Sequence, residues 1–254
     1  MNEIIIFDRR VKRLHRDRAA GLIGAHDFLL KEAASRLTQH LEGITREFPL
    51  ALDFGGREML DVPPNITKII RADASIKNRP QVVADEEFLP FKENSFDLVL
   101  SLLELHWVND LPGALIQIRQ ILKKNGLFLG SMFGPETLTE LRQAIMAAEM
   151  DAGISPRISP FADIKTAAGL LQRAGFSMPV ADAEKITVLY PDAYKLMRDL
   201  KNMGEGNALA KRRKNFTARG TMEKIAAKYK EMFGNKDGLI PATFEIITLT
   251  GSRD

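Results

Sequence analysis

The chain has 254 residues, 45% hydrophobic and 27% charged, enough to bury one substantial core and too apolar for a disordered or fibrous chain. It has no cysteine, which excludes disulfides, iron–sulfur ligation and thiolate zinc sites and fits a reducing compartment. No apolar run approaches the ~20 residues of a membrane-spanning helix, and Met1–Phe7 is too short for a signal sequence, so a cytoplasmic protein without a membrane span is expected.

The formal charge of +3 is unevenly spread, with Arg9, Arg10, Lys12, Arg13, Arg16 and Arg18 early and Lys211–Lys214 late. No zinc-finger spacing or aromatic RNA-binding motif accompanies either cluster. Solvated helix faces are therefore expected in preference to nucleic-acid binding.

In chain order, Asp8 to Leu41 is charged and helix-friendly, with Leu22, Phe28, Leu29, Ala33 and Leu37 loosely on one stripe; it forms an N-terminal helical segment over residues 1–45. Three short strand patterns follow, over 48–54, 67–73 and 81–85, each reaching an aspartate: Asp53, Asp73 and Asp85. Residues 96–101 read as a fourth strand. Asp110 to Leu122 is an amphipathic helix stopped at Lys123-Lys124-Asn125-Gly126, and 126–133 is a fifth strand. Helical patterns cover 136–150 and 163–174. A sixth strand with irregular edges spans 176–190, and the final one runs from Ala242 to Gly251. Before it, residues 191–241 are helical, a candidate lid inserted into a single domain of residues 1–254.

Strands alternating with helices imply a parallel, doubly wound α/β sheet, because parallel neighbours need crossover connections. Ligands of such sheets bind beyond the carboxyl ends of the strands, where Asp53, Asp73 and Asp85 would gather. A carboxylate after the second strand can accept from both ribose hydroxyls, and one after the third can take the amine of adenine. Any one of these aspartates reads equally well as a turn or capping residue; three in succession favour nucleoside recognition. His106 is a candidate general base, more often a structural hydrogen-bonder at such a position. Trp107 reads as packing or pocket wall, and Glu104 as a comparable polar candidate or an exposed side chain. Four histidines without ligand spacing and no cysteine give no metal site. No G-x-S-x-G elbow or P-loop is present.

At these residues the sequence resembles the type 11 class I S-adenosylmethionine (SAM) methyltransferases, through LDFGG (52–56), ADAS (72–75), ADEEFLPF (84–91), FDLVLS (96–101) and KKNGLFLGSMF (123–133). Over nearly the whole chain it is similar to the mitochondrial complex I assembly factor 5 family and its bacterial relatives, through FDRR (7–10), LHWVNDLPGAL (105–115), ISPF (158–161), RAGF (173–176), YPDAYKLMRDLKNMGEGN (190–207) and IPATFEIITLTG (240–251). The malonyl-carrier-protein methyltransferases are similar in plan.

The resemblance implies a Rossmann-like seven-stranded sheet with helices on both faces and SAM at its carboxyl edge. Asp53, Gly55 and Gly56 would form the first loop, Asp73 and Ala74 would meet the ribose, Asp85 and Glu86 the adenine, and Ser101 and Leu102 the methionine part. For the assembly-factor family it also implies hydroxylation of an arginine in an iron–sulfur subunit of respiratory complex I.

The first loop departs from the pattern. After Gly55-Gly56 come Arg57-Glu58-Met59 without further glycines, and Pro63-Pro64 falls where a helix should run. Two functions follow: a SAM-dependent methyltransferase-family protein whose acceptor the sequence does not name, or a complex I assembly factor or scaffold, arginine-modifying in one form, with weakened SAM binding.

Overall fold

The computed structural model describes residues 5–150, 155–215 and 217–254; of the Met1–Phe7 signal-sequence reading, residues 1–4 lie outside them. By internal contacts the chain forms two units. The first comprises Met1–His26, Gly134–Phe161 and Glu184–Glu245, and the second Asp27–Phe133, Ala162–Ala183 and Ile246–Asp254.

The second unit holds the strand pairings. Its elements are α2 (Phe28–Glu42), β1 (Ala51–Phe54), β2 (Ile69–Asp73), β3 (Val82–Val83), β4 (Phe96–Ser101), α3 (Leu111–Ile121), β5 (Leu122–Phe133) and α5 (Ile164–Arg173), with the nearer parts of β6 (Ser177–Tyr190) and β7 (Ile240–Ser252). The α-helices of the first unit are α1 (Arg9–Ala19), α4 (Thr139–Glu149), α6 (Ala193–Met203) and α7 (Arg219–Phe233). The seven-stranded sheet has the order β3-β2-β1-β4-β5-β7-β6, parallel from β3 to β5 and antiparallel where β7 meets β5.

Alternation along the strands explains the layers. Leu52, Phe54, Val99, Phe128 and Met132 join one apolar cluster with Leu115 and Ile118 of α3 and Leu170 and Leu171 of α5. Their neighbours Leu98, Leu100, Leu127 and Leu129 are equally buried outside that cluster, so the opposite face is covered too, and α2 contacts β5. Helix α3 starts where the Asp110 carboxylate accepts from Gly113 N at 2.9 Å, with Pro112 in the first turn.

Two elements differ from the sequence expectations, and a third bears out the departure at Pro63-Pro64. The N-terminal helical segment is broken at Gly21–Gly24 into α1 and α2. The polar run after α3 is not a turn: the chain passes directly into β5, whose Leu122 pairs with Phe96. Between β1 and β2, residues 55–68 contain no helix at all.

In the first unit, α1 packs on α6 and α4 on α7. The early basic cluster is not a solvated face throughout, for Lys12 and Arg16 are buried while Leu14 is exposed; Arg16 lies 3.6 Å from the Glu205 carboxylate. Asp8 caps α1 and also pairs with Arg212, and its N–H donates to Ala208 O, which ties FDRR to the residues after GEGN. Among the described residues no helix is long and apolar enough to cross a membrane.

Candidate functional site

Parallel register brings the predicted residues to one edge. Phe54 sits level with Ala72 on β2 and with Ser101 on β4, and Asp73 is level with Val83 on β3. Asp53, Asp73 and Ser101 therefore close the carboxyl ends of adjacent strands, with Gly55, Gly56, Ala74 and Leu102 in the following turns and Asp85 and Glu86 past β3. Strand order reverses between β1 and β4, where open α/β sheets bind ligands.

After β1 the chain turns sharply instead of starting a helix. Gly55 has φ 73°, and Arg57 and Glu58 have φ 48° and 63°; Met59 N donates to Gly56 O at 2.8 Å. Two successive positive-φ residues closed by that bond make a type I′ turn, held here by side chains that pay about 1–2 kcal/mol each for the left-handed region. A side chain at Gly55 would collide with Glu104, and one at Gly56 with the Asp53 carboxylate. Both glycines are needed for close approach.

The turn encloses charge. Arg57 lies 3.5 Å from Glu104, with side chains 3% and 2% exposed. Asp53 is buried beside them, and its Oδ1 has no hydrogen-bond partner. Burial pushes the Asp53 carboxyl up to about 7, against the pulls of Arg71 and the Gly56 N–H and with a further push from Asp73. Glu104, read from sequence as a polar candidate or an exposed side chain, is thus not exposed, and Arg57 was not singled out for the site from sequence. The signals were a carboxylate inside the apolar Leu102-Leu103-Glu104-Leu105 run and an arginine directly after two glycines.

Asp73 is buried and held: its Oδ1 accepts from Ser75 N at 2.6 Å and its Oδ2 from Asn78 Nδ2 at 2.9 Å. An ionised carboxylate offers about four acceptor positions, so each oxygen keeps a lone pair. Asp85 is half-buried, and its Oδ1 accepts from Glu87 N at 2.9 Å. Gln117 of α3 pins that loop, accepting from Leu89 N at 3.0 Å and donating to Glu87 O at 2.6 Å. Glu86, Leu89, Phe54, Ser101 and Leu105 line a narrow crevice on the α3 face of the sheet.

His106 is packed into this region. Its Nδ1 accepts from Phe133 N at 3.4 Å, and its ring lies between Trp107 and Phe133 at centroid distances of 5.2 and 4.7 Å. That bond engages Nδ1. Trp107 is buried. Among the described residues no group of three or more histidine, aspartate or glutamate side chains could hold a metal ion.

Fold and edge define the class I methyltransferase fold. Residues 52–130 match a methyltransferase-domain family model. The structure resembles the YcgJ protein of Bacillus subtilis (TM-score 0.56, 15% identity, 85% of this chain and 97% of that one). It also resembles a Haemonchus contortus phosphoethanolamine N-methyltransferase solved with SAM (TM-score 0.55, 14% identity, 95% and 60%).

The mitochondrial arginine-hydroxylase NDUFAF5 of Danio rerio is 45% identical over 97% of this chain and 82% of its own length, and that of Homo sapiens 46% over 97% and 76%. A malonyl-[acyl-carrier protein] O-methyltransferase of Gallionella capsiferriformans is 32% identical over 97% and 91%. The chain belongs to the NDUFAF5 family of methyltransferase-fold proteins. The cytoplasmic expectation is corrected accordingly, since these 45–46% identical relatives are mitochondrial. Lack of cysteine fits a reducing setting, a property that does not separate cytoplasm from the interior of an organelle.

Proposed function

We propose that the chain binds SAM at the carboxyl edge of β1 to β4 and transfers its methyl group to an acceptor held beside it. The observation that carries this reading is Asp73, buried at the end of β2, oriented by Ser75 and Asn78, and retaining a lone pair on each oxygen for the two ribose hydroxyls. The remaining residues fit. Asp53 is a buried carboxylate with an unpartnered oxygen, suited to a cationic group. Gly55 and Gly56 allow close backbone approach, Ala74 adjoins the ribose, and Asp85 and Glu86 stand where adenine would lie. Ser101 and Leu102 border the methionine part.

Bound SAM supplies an electrophilic methyl group on a sulfonium. The chain's own residues then position the acceptor and exclude water, which suffices for a nucleophilic acceptor without a strong base. His106 is retained as the candidate proton acceptor. Calorimetric titration of cofactor-free protein with SAM and S-adenosylhomocysteine tests the reading. Micromolar affinity supports it, and no binding to folded protein sinks it.

A second reading is favoured by a specific feature. The pocket already accommodates a guanidinium, that of Arg57, against Glu104, and the NDUFAF5 relatives are arginine-hydroxylases by name. The acceptor would then be an arginine of a protein partner, a subunit of respiratory complex I by the family resemblance. Mass spectrometry of arginine peptides after incubation separates the readings. A gain of one methylene marks methyl transfer, a gain of one oxygen atom marks hydroxylation, and no change removes arginine as the acceptor.

A further inference from the structure

The first unit carries a cavity of about 570 Å³, within the size range of small-molecule sites. Its walls are Ile5, Ile6, Ile158, Phe161, Leu209 and three prolines; the polar lining is Ser159 and two cations, Arg142 and Lys211, with no acidic side chain among the described residues. Ile5 and Ile6 are exposed and add apolar surface to that lining.

Arg142 is fixed in place. Its guanidinium donates to Pro135 O at 3.3 Å and Thr137 O at 3.5 Å, two weak bonds that orient the fork without neutralising it. A guanidinium has five N–H donors, so three remain after those bonds. Among the described residues neither Arg142 nor Lys211 forms an ion pair with a carboxylate. An apolar cavity whose described lining holds two cations and no acid is complementary to a molecule with an apolar body and an anionic head. Arg142 adds a preference for a planar, two-oxygen group, since its fork matches a carboxylate.

We propose that this cavity binds an aliphatic carboxylate, with its chain against Ile158, Phe161 and Leu209 and its head on Arg142 and Lys211. The assignment is independent of the SAM reading, because every lining residue belongs to the first unit and none to the strand edge.

The test uses decanoate, decanol and decylamine, each below its aggregation concentration, titrated calorimetrically into the full chain. Decanoate is expected to bind about tenfold or more tightly than the other two, the worth of a charge-assisted hydrogen bond. Lys211→Glu, at an exposed position that supports no backbone, should weaken decanoate and strengthen decylamine. Arg142→Gln should weaken decanoate by about tenfold with decanol unchanged. Circular dichroism confirms that each variant is folded. Equal affinities for all three probes, or no binding of decanoate to folded protein, overturns the assignment, as does a Lys211→Glu variant with unaltered preference.

Discussion

Two parallel crossovers of the same sheet are built in opposite ways. From β4 to β5 the chain runs through α3, whose Leu115 and Ile118 bury against β1, β4 and β5 and whose first turn is capped by Asp110. From β1 to β2 it runs through residues 55–68 without a helix, turning at two positive-φ side chains around buried Asp53, Arg57 and Glu104. Both connect parallel neighbours: β1 and β2 pair without a break, and β4 and β5 pair evenly from Leu98 onward, after a register shift between Phe96 and Leu98. A helix is therefore one way to cover a crossover, and pairing of the strands does not require it; what the second crossover gives up is an amphipathic stripe, and what it holds instead is charge at the ligand edge.

Phe128→Ala, at the face shared with α3, should cost about 3–5 kcal/mol in denaturant unfolding. Arg57→Met should cost a similar amount although it removes no apolar packing, since Glu104 is left buried without that ion pair. A cost near zero for Arg57→Met would mean that Glu104 is satisfied otherwise and that charge does not hold the first crossover.

Asp73→Ala should leave folding intact and lower SAM affinity by about tenfold to a hundredfold, the worth of one or two hydrogen bonds to a charged group. Unchanged affinity would take Asp73 out of the site.

The raised Asp53 carboxyl makes the helix-free crossover pH-sensitive. Its folded pKa of about 7 lies above the ordinary 3.8, so the folded state favours the neutral acid; the chain loses stability relative to Asp53→Asn as pH rises through that interval, with no further loss above it. Ligand binding runs the other way. If a cationic part of SAM meets the ionised form, affinity should fall by about tenfold per pH unit below about 7, and Asp53→Asn should flatten that profile.

The smallest effect is at Glu58, exposed and at φ 63°. Glu58→Gly should stabilise by about 1 kcal/mol by relieving the left-handed penalty, measured as a rise in the denaturation midpoint. No gain would show that the exposed contact with Arg71 offsets the strain.

Much of the sheet was legible because each parallel strand is a short apolar run ended by a polar residue, as in Phe96–Ser101, whose expected and observed bounds coincide. The missing helix was foreshadowed by Pro63-Pro64. The start of β5 was not, because Lys123-Lys124-Asn125 looks like a helix stop until Leu122 is seen paired with Phe96. In the site, the aspartates stood out through their repeated position and Glu104 through its place in an apolar run, while the pairing of Arg57 with Glu104 and the contacts of Asn78 and Gln117 span sequence gaps that no local pattern marks.

The sequence by itself determined the α/β class, the strand ends that gather at one edge, the resemblance to a methyltransferase family and the break in its first loop. These depend on period, side-chain type and local backbone preference, which act over a few residues. Only the tertiary structure decided that Lys12 and Arg16 are buried, that Arg57 meets Glu104, and that Asp53 has an unpartnered oxygen. Burial and pairing of charge depend on which distant segments exclude water from a group, and that is set when the chain packs.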